Sequence, residues 1–152
     1  MKAILVLTLA VLAALAVACG DDDDDDGNGG GGGGSVDVAL AEWSVTPSQA
    51  TAPAGDVTFT VTNDGTEPHE FLVIRSDLAP DALPVDDEGR VPEDEVDIID
   101  EIEPFAADST EEITLDLEAG SYVLICNIVE LPPGEEPESH YENGMFTAFT
   151  VE

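Results

Sequence analysis

The run Val57-Thr58-Phe59-Thr60-Val61-Thr62 alternates apolar and polar side chains without a break. A period of two puts every second residue on one face, and β-branched and aromatic side chains suit a pleated surface, so the run predicts a half-buried strand. Ile113-Thr114-Leu115-Asp116-Leu117 alternates in the same way, and Val36-Asp37-Val38-Ala39-Leu40 does so loosely. Phe71-Leu72-Val73-Ile74 and Tyr122-Val123-Leu124-Ile125-Cys126 are continuous apolar runs that read as buried strands, and Phe146-Thr147-Ala148-Phe149-Thr150-Val151 closes the chain. Asn63-Asp64-Gly65-Thr66 and Ala119-Gly120 are turn signals, and Pro47, Pro53 and Gly55 punctuate the chain between strands. Short strands separated by Gly and Pro turns predict an all-β antiparallel sandwich. The stretch from Asp77 to Pro104 fits this scheme less well: ten of the residues from Asp86 to Glu103 are acidic, and Pro80, Pro84 and Pro92 interrupt it. Val96, Ile99 and Ile102 fit one face of a short helix, while Val96 and Ile98 fit a strand equally. The acidic cluster itself reads as a solvated face.

The chain begins differently. Met1-Lys2 is a short cationic start, and Ala3 to Ala18 is apolar apart from Thr8. Sixteen residues fall short of a comfortable membrane span but match the core of a signal peptide. Leu15-Ala16-Val17-Ala18-Cys19-Gly20 resembles the bacterial lipobox, although Ala16 stands where Leu is usual. The resemblance implies that residues 1–18 are a lipoprotein signal peptide and that Cys19 becomes the lipidated N-terminus. Asp21 to Asp26 and the glycines from Gly27 to Gly34 cannot bury apolar surface, so residues 19–34 are expected to be a disordered tether. A flexible coil of this length spans roughly 20 Å. Six contiguous Asp lack the alternating ligand spacing of a calcium loop. Residues 35–152 form the single domain that the length allows.

Charge excludes whole classes of partner. The chain has 35 Asp and Glu against three Lys and Arg, a formal charge of −32. Three cations cannot make a basic face for phosphate, so nucleic-acid binding is excluded, and so is adsorption to an anionic lipid surface. Residues 35–152 hold 29 acids against Arg75 and Arg90, a net charge of −27. Such self-repulsion suits a salt-rich setting or a basic partner.

Chemistry-bearing side chains are scarce. With Cys19 lipidated, the domain contains only His69, Cys126, His140 and Met145 as imidazole or sulfur donors. A lone Cys126 in an oxidising compartment calls for an explanation. Each of the four sits where a strand meets a loop, and strand ends can converge at one pole of a sandwich. Any one of them read alone fits a turn, core or solvated position; their joint placement favours a common site. Two imidazoles and a thiolate in a plane, with a weak axial thioether, make the blue-copper electron-transfer centre. Thiolate and thioether favour Cu(I), and imidazoles also hold Cu(II). In a competent site both His Nδ1 atoms and Cys126 Sγ should lie mutually within roughly 4 Å.

At these residues the chain resembles the cupredoxins, the plastocyanin, azurin and rusticyanin group. Thr66-Glu67-Pro68-His69-Glu70-Phe71 is similar to the strand carrying the first ligand, and Tyr122-Val123-Leu124-Ile125-Cys126-Asn127 to the strand leading into the Cys ligand. His140-Tyr141-Glu142-Asn143-Gly144-Met145 has the family's His-x₄-Met spacing. The resemblance covers residues 36–152 and implies a Greek-key β-sandwich holding one type 1 copper ion. Two departures stand out. Thirteen residues, Asn127 to Ser139, separate Cys126 from His140, where plastocyanin and azurin have a few, and Glu70 stands where they have an Asn that tethers the ligand loops. Loop length changes closure entropy only slowly, so the insertion is compatible with a site. Glu70 keeps a backbone N–H for the sulfur, and its charge would favour Cu(II).

These features imply a lipid-anchored copper protein that shuttles single electrons outside the cytoplasmic membrane to a redox partner, which charge complementarity suggests is basic. His140, on an exposed loop, is the expected electron exit. A copper carrier or sensor module on the same fold, or a metal-free interaction domain, are the alternatives. Enzyme chemistry is disfavoured, because a second copper centre or a Ser-His-Asp triad needs more His than the two available.

Overall fold

The computed structural model describes residues 33–152. Cys19 and the segments expected to be a signal peptide and a tether lie, up to residue 32, outside the described residues. In chain order the strands are β1 (Gly34–Ala41), β2 (Ser44–Pro47), β3 (Thr51–Ala52), β4 (Gly55–Asn63), β5 (His69–Arg75), β6 (Asp97–Phe105), β7 (Thr110–Leu117), β8 (Gly120–Ile125), β9 (Val129–Glu130), β10 (Glu138–Ser139) and β11 (Phe146–Val151). The runs read as strands in the sequence correspond to β1, β4, β5, β7, β8 and β11. A single 3-10 turn occupies Glu93–Glu95, and the ambiguous stretch that follows is a strand, β6. Among the described residues no helix is long and apolar enough to cross a membrane.

Two sheets form the sandwich. One has the order β2-β1-β4-β7, the other β3-β11-β8-β5-β6, and β9 and β10 make a separate two-stranded ribbon. Most neighbours are antiparallel, but β1 pairs parallel with β4 and β11 pairs parallel with β3. The sequence reading of an antiparallel sandwich therefore needs amending at these two pairs. Period-two patterning fixes which face of a strand is buried and leaves open the direction of its neighbour.

The core follows from the alternation. Val36, Val38 and Leu40 of β1, Val57, Phe59 and Val61 of β4, and Leu115 and Leu117 of β7 turn inward from one sheet. Phe71, Val73, Tyr122, Leu124, Phe149 and Val151 meet them from the other. Phe59 stands at the centre, its ring 5.4 Å from those of Phe71 and Phe149.

The continuous apolar runs of β5 and β8 have a separate cause. Their alternate residues Leu72, Ile74, Val123 and Ile125 face outward, and there they are covered by Leu83, Val91 and Tyr141. The connection between β5 and β6 thus folds back over the outer face of its own sheet. Its backbone is organised by Asp86, whose Oδ1 accepts the N–H groups of Glu88 and Arg90. The acidic positions Glu93, Asp94 and Glu95 point to solvent.

Candidate metal centre

Each ligand candidate is delivered by the end of a strand. His69 opens β5, Cys126 follows the last residue of β8, His140 follows β10, and Met145 precedes β11. Two neighbouring inner strands of one sheet, β5 and β8, therefore bring His69 and Cys126 side by side. The β5–β8 ladder ends at Leu72 and Ile125. Beyond that last rung the Glu70 N–H is free to donate to Cys126 Sγ, at 3.4 Å.

Three donors converge. His69 Nδ1 lies 3.2 Å from His140 Nδ1, Cys126 Sγ lies 3.3 Å from His140 Nδ1, and Cys126 Sγ lies 3.9 Å from His69 Nδ1. Donors held about 2.0–2.3 Å from one ion stand about 3.3–4.0 Å apart between tetrahedral and trigonal angles, so the triangle is close to the size of a three-ligand metal site, with two of its sides at the short end. All three side chains are 0% exposed. Met145 is equally buried, and its backbone ties it to two of them: its N–H donates to the His140 carbonyl at 3.0 Å, and its carbonyl accepts the Cys126 N–H at 3.0 Å. The turn from His140 to Met145 closes through Gly144, whose φ of 115° lies in a region that suits glycine.

Electrostatics in the pocket follow from burial. Loss of water pushes the Cys126 thiol up to about 12, and it pulls His140 down to about 4, with the neighbouring His69 adding to the effect. Burial also lowers His69, against the opposing pull of the Glu42 carboxylate. Both imidazoles are thus held neutral, the form that ligates a cation. A bound cation reverses the thiol's preference, because a coordinating thiol gives up its proton. The outward Nε2 atoms of His69 and His140 are buried without hydrogen-bond partners among the described residues. Glu67 and Glu130 come within 4.8 Å of His140 and of one another. They share His140 with the main triangle.

No protein-family model matches the sequence, and no curated protein matches it. Solved structures do. An auracyanin from the photosynthetic bacterium Roseiflexus castenholzii aligns over 82% of this chain and 99% of its own at 23% identity, TM-score 0.52. Auracyanin A, described as a "blue" copper protein from the green thermophilic photosynthetic bacterium Chloroflexus aurantiacus, aligns over 80% of this chain and 100% of its own at 20% identity, TM-score 0.52. An azurin from Methylomonas sp. strain J aligns over 78% of this chain and 97% of its own at 15% identity, TM-score 0.50. The fold is that of the cupredoxins. Its His69-Cys126-His140-Met145 group is suited to binding copper.

Within this cupredoxin fold the long insertion is tied down. β9 and β10 zip its two halves together, with Ser139 opposite Val129, and the His140 N–H donates to the Ile128 carbonyl at 2.9 Å. His140 thus lies beside the residues that follow Cys126, although 14 positions separate the two donors. Outside contacts hold the same segment. Asn127 exchanges two hydrogen bonds with the backbone of Val91, the Ser139 hydroxyl donates to the Gly89 carbonyl at 2.7 Å, and the Tyr141 hydroxyl bridges the Leu83 N–H and the Pro80 carbonyl.

Glu70 takes over the tethering assigned by resemblance to Asn. Its Oε1 accepts the Asn127 N–H at 2.9 Å, joining the first ligand strand to the Cys loop. Burial pushes its carboxyl up to about 7, against the Asn127 bond and the charge of Arg90. The bare charge beside the metal expected from the sequence is weakened accordingly.

One expectation is corrected. His140 is not an exposed exit: it is 0% exposed, with the Trp43 ring edge-on at 5.2 Å and the His69 ring at 5.1 Å. Trp43 is half-buried and packs on His140. The sequence reading also missed Glu42, beside His69, and Asn63, read as part of a turn. Asn63 is fully buried, donates to the carbonyls of Glu67 and Phe105, and accepts the Gly65 N–H. No local pattern distinguishes either residue from the many acids and turn formers around it.

Proposed function

We propose that the chain is a type 1 copper protein that carries single electrons outside the cytoplasmic membrane, held there by lipid on Cys19. His69, Cys126 and His140 hold the ion, and Met145 is the weak axial donor. The observation that carries this reading is the buried triangle of two imidazole nitrogens and one sulfur, 3.2–3.9 Å on a side. Copper supplies reversible one-electron exchange when bound. The protein's part is to place the donors in advance, exclude water from them and keep both imidazoles neutral. A full set of buried ligands favours retention of the ion over the rapid hand-on that a carrier needs. The blue copper of auracyanin A supports the same metal here. A charge of −27 on residues 35–152 supports a redox partner with a basic surface.

The test is spectroscopic. Copper(II)-loaded protein should absorb strongly at about 600 nm through thiolate-to-copper charge transfer, and Cys126→Ser should abolish the band. Colourless wild-type protein under oxidising conditions overturns the proposal.

A further inference from the structure

We infer that Glu42 is a positioning residue for the metal centre: its carboxylate backs His69 and holds the imidazole in the tautomer that presents the Nδ1 lone pair to the ligand triangle. This rests on the copper reading of the site and extends it to a residue outside the ligand set. Glu42 lies in the short connection between β1 and β2. Its Oε1 accepts the N–H groups of Thr66 at 2.8 Å and Glu67 at 3.0 Å, which fixes the carboxylate against the turn leading into His69. The same oxygen stands 3.4 Å from His69 Nε2, a contact that is electrostatic and falls short of a well-formed hydrogen bond.

Residue 65 makes the approach possible. A Cβ on Gly65 would fall 2.6 Å from Glu42 Oε1 and 2.7 Å from His69 Nε2. Only glycine leaves room for the two groups to meet, and Asn63 holds Gly65 in place through the Gly65 N–H.

The chemistry follows from the imidazole's single proton. A neutral ring that ligates through Nδ1 carries its hydrogen on Nε2. In His69 that atom is buried and has no hydrogen-bond partner among the described residues. The Glu42 carboxylate is the acceptor within reach. A carboxylate behind a ligating imidazole fixes ring and tautomer, raises ligand basicity and favours the more highly charged ion. Glu42 therefore tunes the centre toward Cu(II).

Glu42→Gln separates charge from scaffold, because the amide oxygen still accepts the Thr66 and Glu67 N–H groups. Gly65→Ala is the complementary variant: it keeps the carboxylate and wedges it away from the ring. In the metal-free protein, imidazole ¹⁵N NMR should show His69 as the Nε2–H tautomer in wild type and as a tautomer mixture in both variants. In the loaded protein, both variants should bind copper(II) about ten- to a hundredfold more weakly, with a reduction potential shifted upward. An unaltered His69 tautomer together with unaltered affinity and potential in Glu42→Gln overturns the inference and leaves Glu42 as a brace for the turn. Should wild-type protein take up no copper, the functional reading fails, and the NMR comparison alone then decides the role of Glu42.

Discussion

Asn63 shows how much of the donor triangle depends on side chains that never face it. It is the last residue of β4, fully buried, and its amide bonds three backbone groups of the connections leading into β5 and out of β6. A buried polar group left without its partner costs about 1–3 kcal/mol. Asn63→Ala should therefore lower unfolding free energy by about 2 kcal/mol or more, read by denaturant titration, and should also weaken copper binding, because Gly65 and His69 lose their brace. His69, Cys126, His140 and Met145 were legible in the sequence because their chemistry is rare in this chain. Glu42 and Asn63 were not: a Glu among 35 acids, or an Asn before Asp-Gly, looks like any solvated or turn residue until its neighbours are placed.

At the level of elements, the β9–β10 ribbon turns a long insertion into a short effective connection. The contacts that matter are at its base, where Ser139 pairs with Val129 and His140 bonds Ile128. Its tip, Leu131 to Pro137, is largely solvated, and Leu131 is 61% exposed. Replacing the seven residues from Leu131 to Pro137 by a four-residue glycine-containing turn leaves a hairpin loop of common length. Halving a loop changes closure entropy by about 0.6 kcal/mol, so the trimmed protein should keep its stability within about 1 kcal/mol. Its 600 nm band should be unchanged, as thermal unfolding and a visible spectrum would show. The start of β5 is held in a different way. Its register with β6 shifts between His69 and Phe71, opposite Glu103-Pro104, where proline has no N–H to offer the ladder. Such irregularities re-aim side chains at sheet edges, here beside the first ligand. The proline was visible in the sequence, but its partner strand was not, because the stretch around Val96 fitted helix and strand alike.

For the molecule as a whole, charge is the dominant force outside the core. Of the two arginines, Arg75 pairs with Glu118 at 2.7 Å on an exposed surface, which offsets little of the repulsion. Salt screens such charges over about 10 Å at 0.1 M. The melting temperature should rise as sodium chloride is added from low ionic strength, while association with a basic redox partner should weaken over the same range, measurable by calorimetry and by salt-dependent electron-transfer rates. The proposed anchor makes a separate prediction. Cys19→Ser should move the protein from the membrane fraction to the soluble extracytoplasmic fraction, as fractionation and immunoblotting would detect.

The positions of β1, β4, β5, β7, β8 and β11 and the inventory of metal donors could be read directly from the chain, since alternation and apolar runs reflect local burial and a donor's chemistry belongs to the residue itself. Folding in three dimensions decided the rest. It chose the parallel partners of β1 and β11, covered the outer face of β5 and β8 with the acidic connection, buried His140 beneath Trp43 and brought the Glu42 carboxylate to His69. Each of these is a contact between segments distant in sequence. Such contacts depend on which surfaces fit and on whether a single Cβ, absent at Gly65, leaves them room.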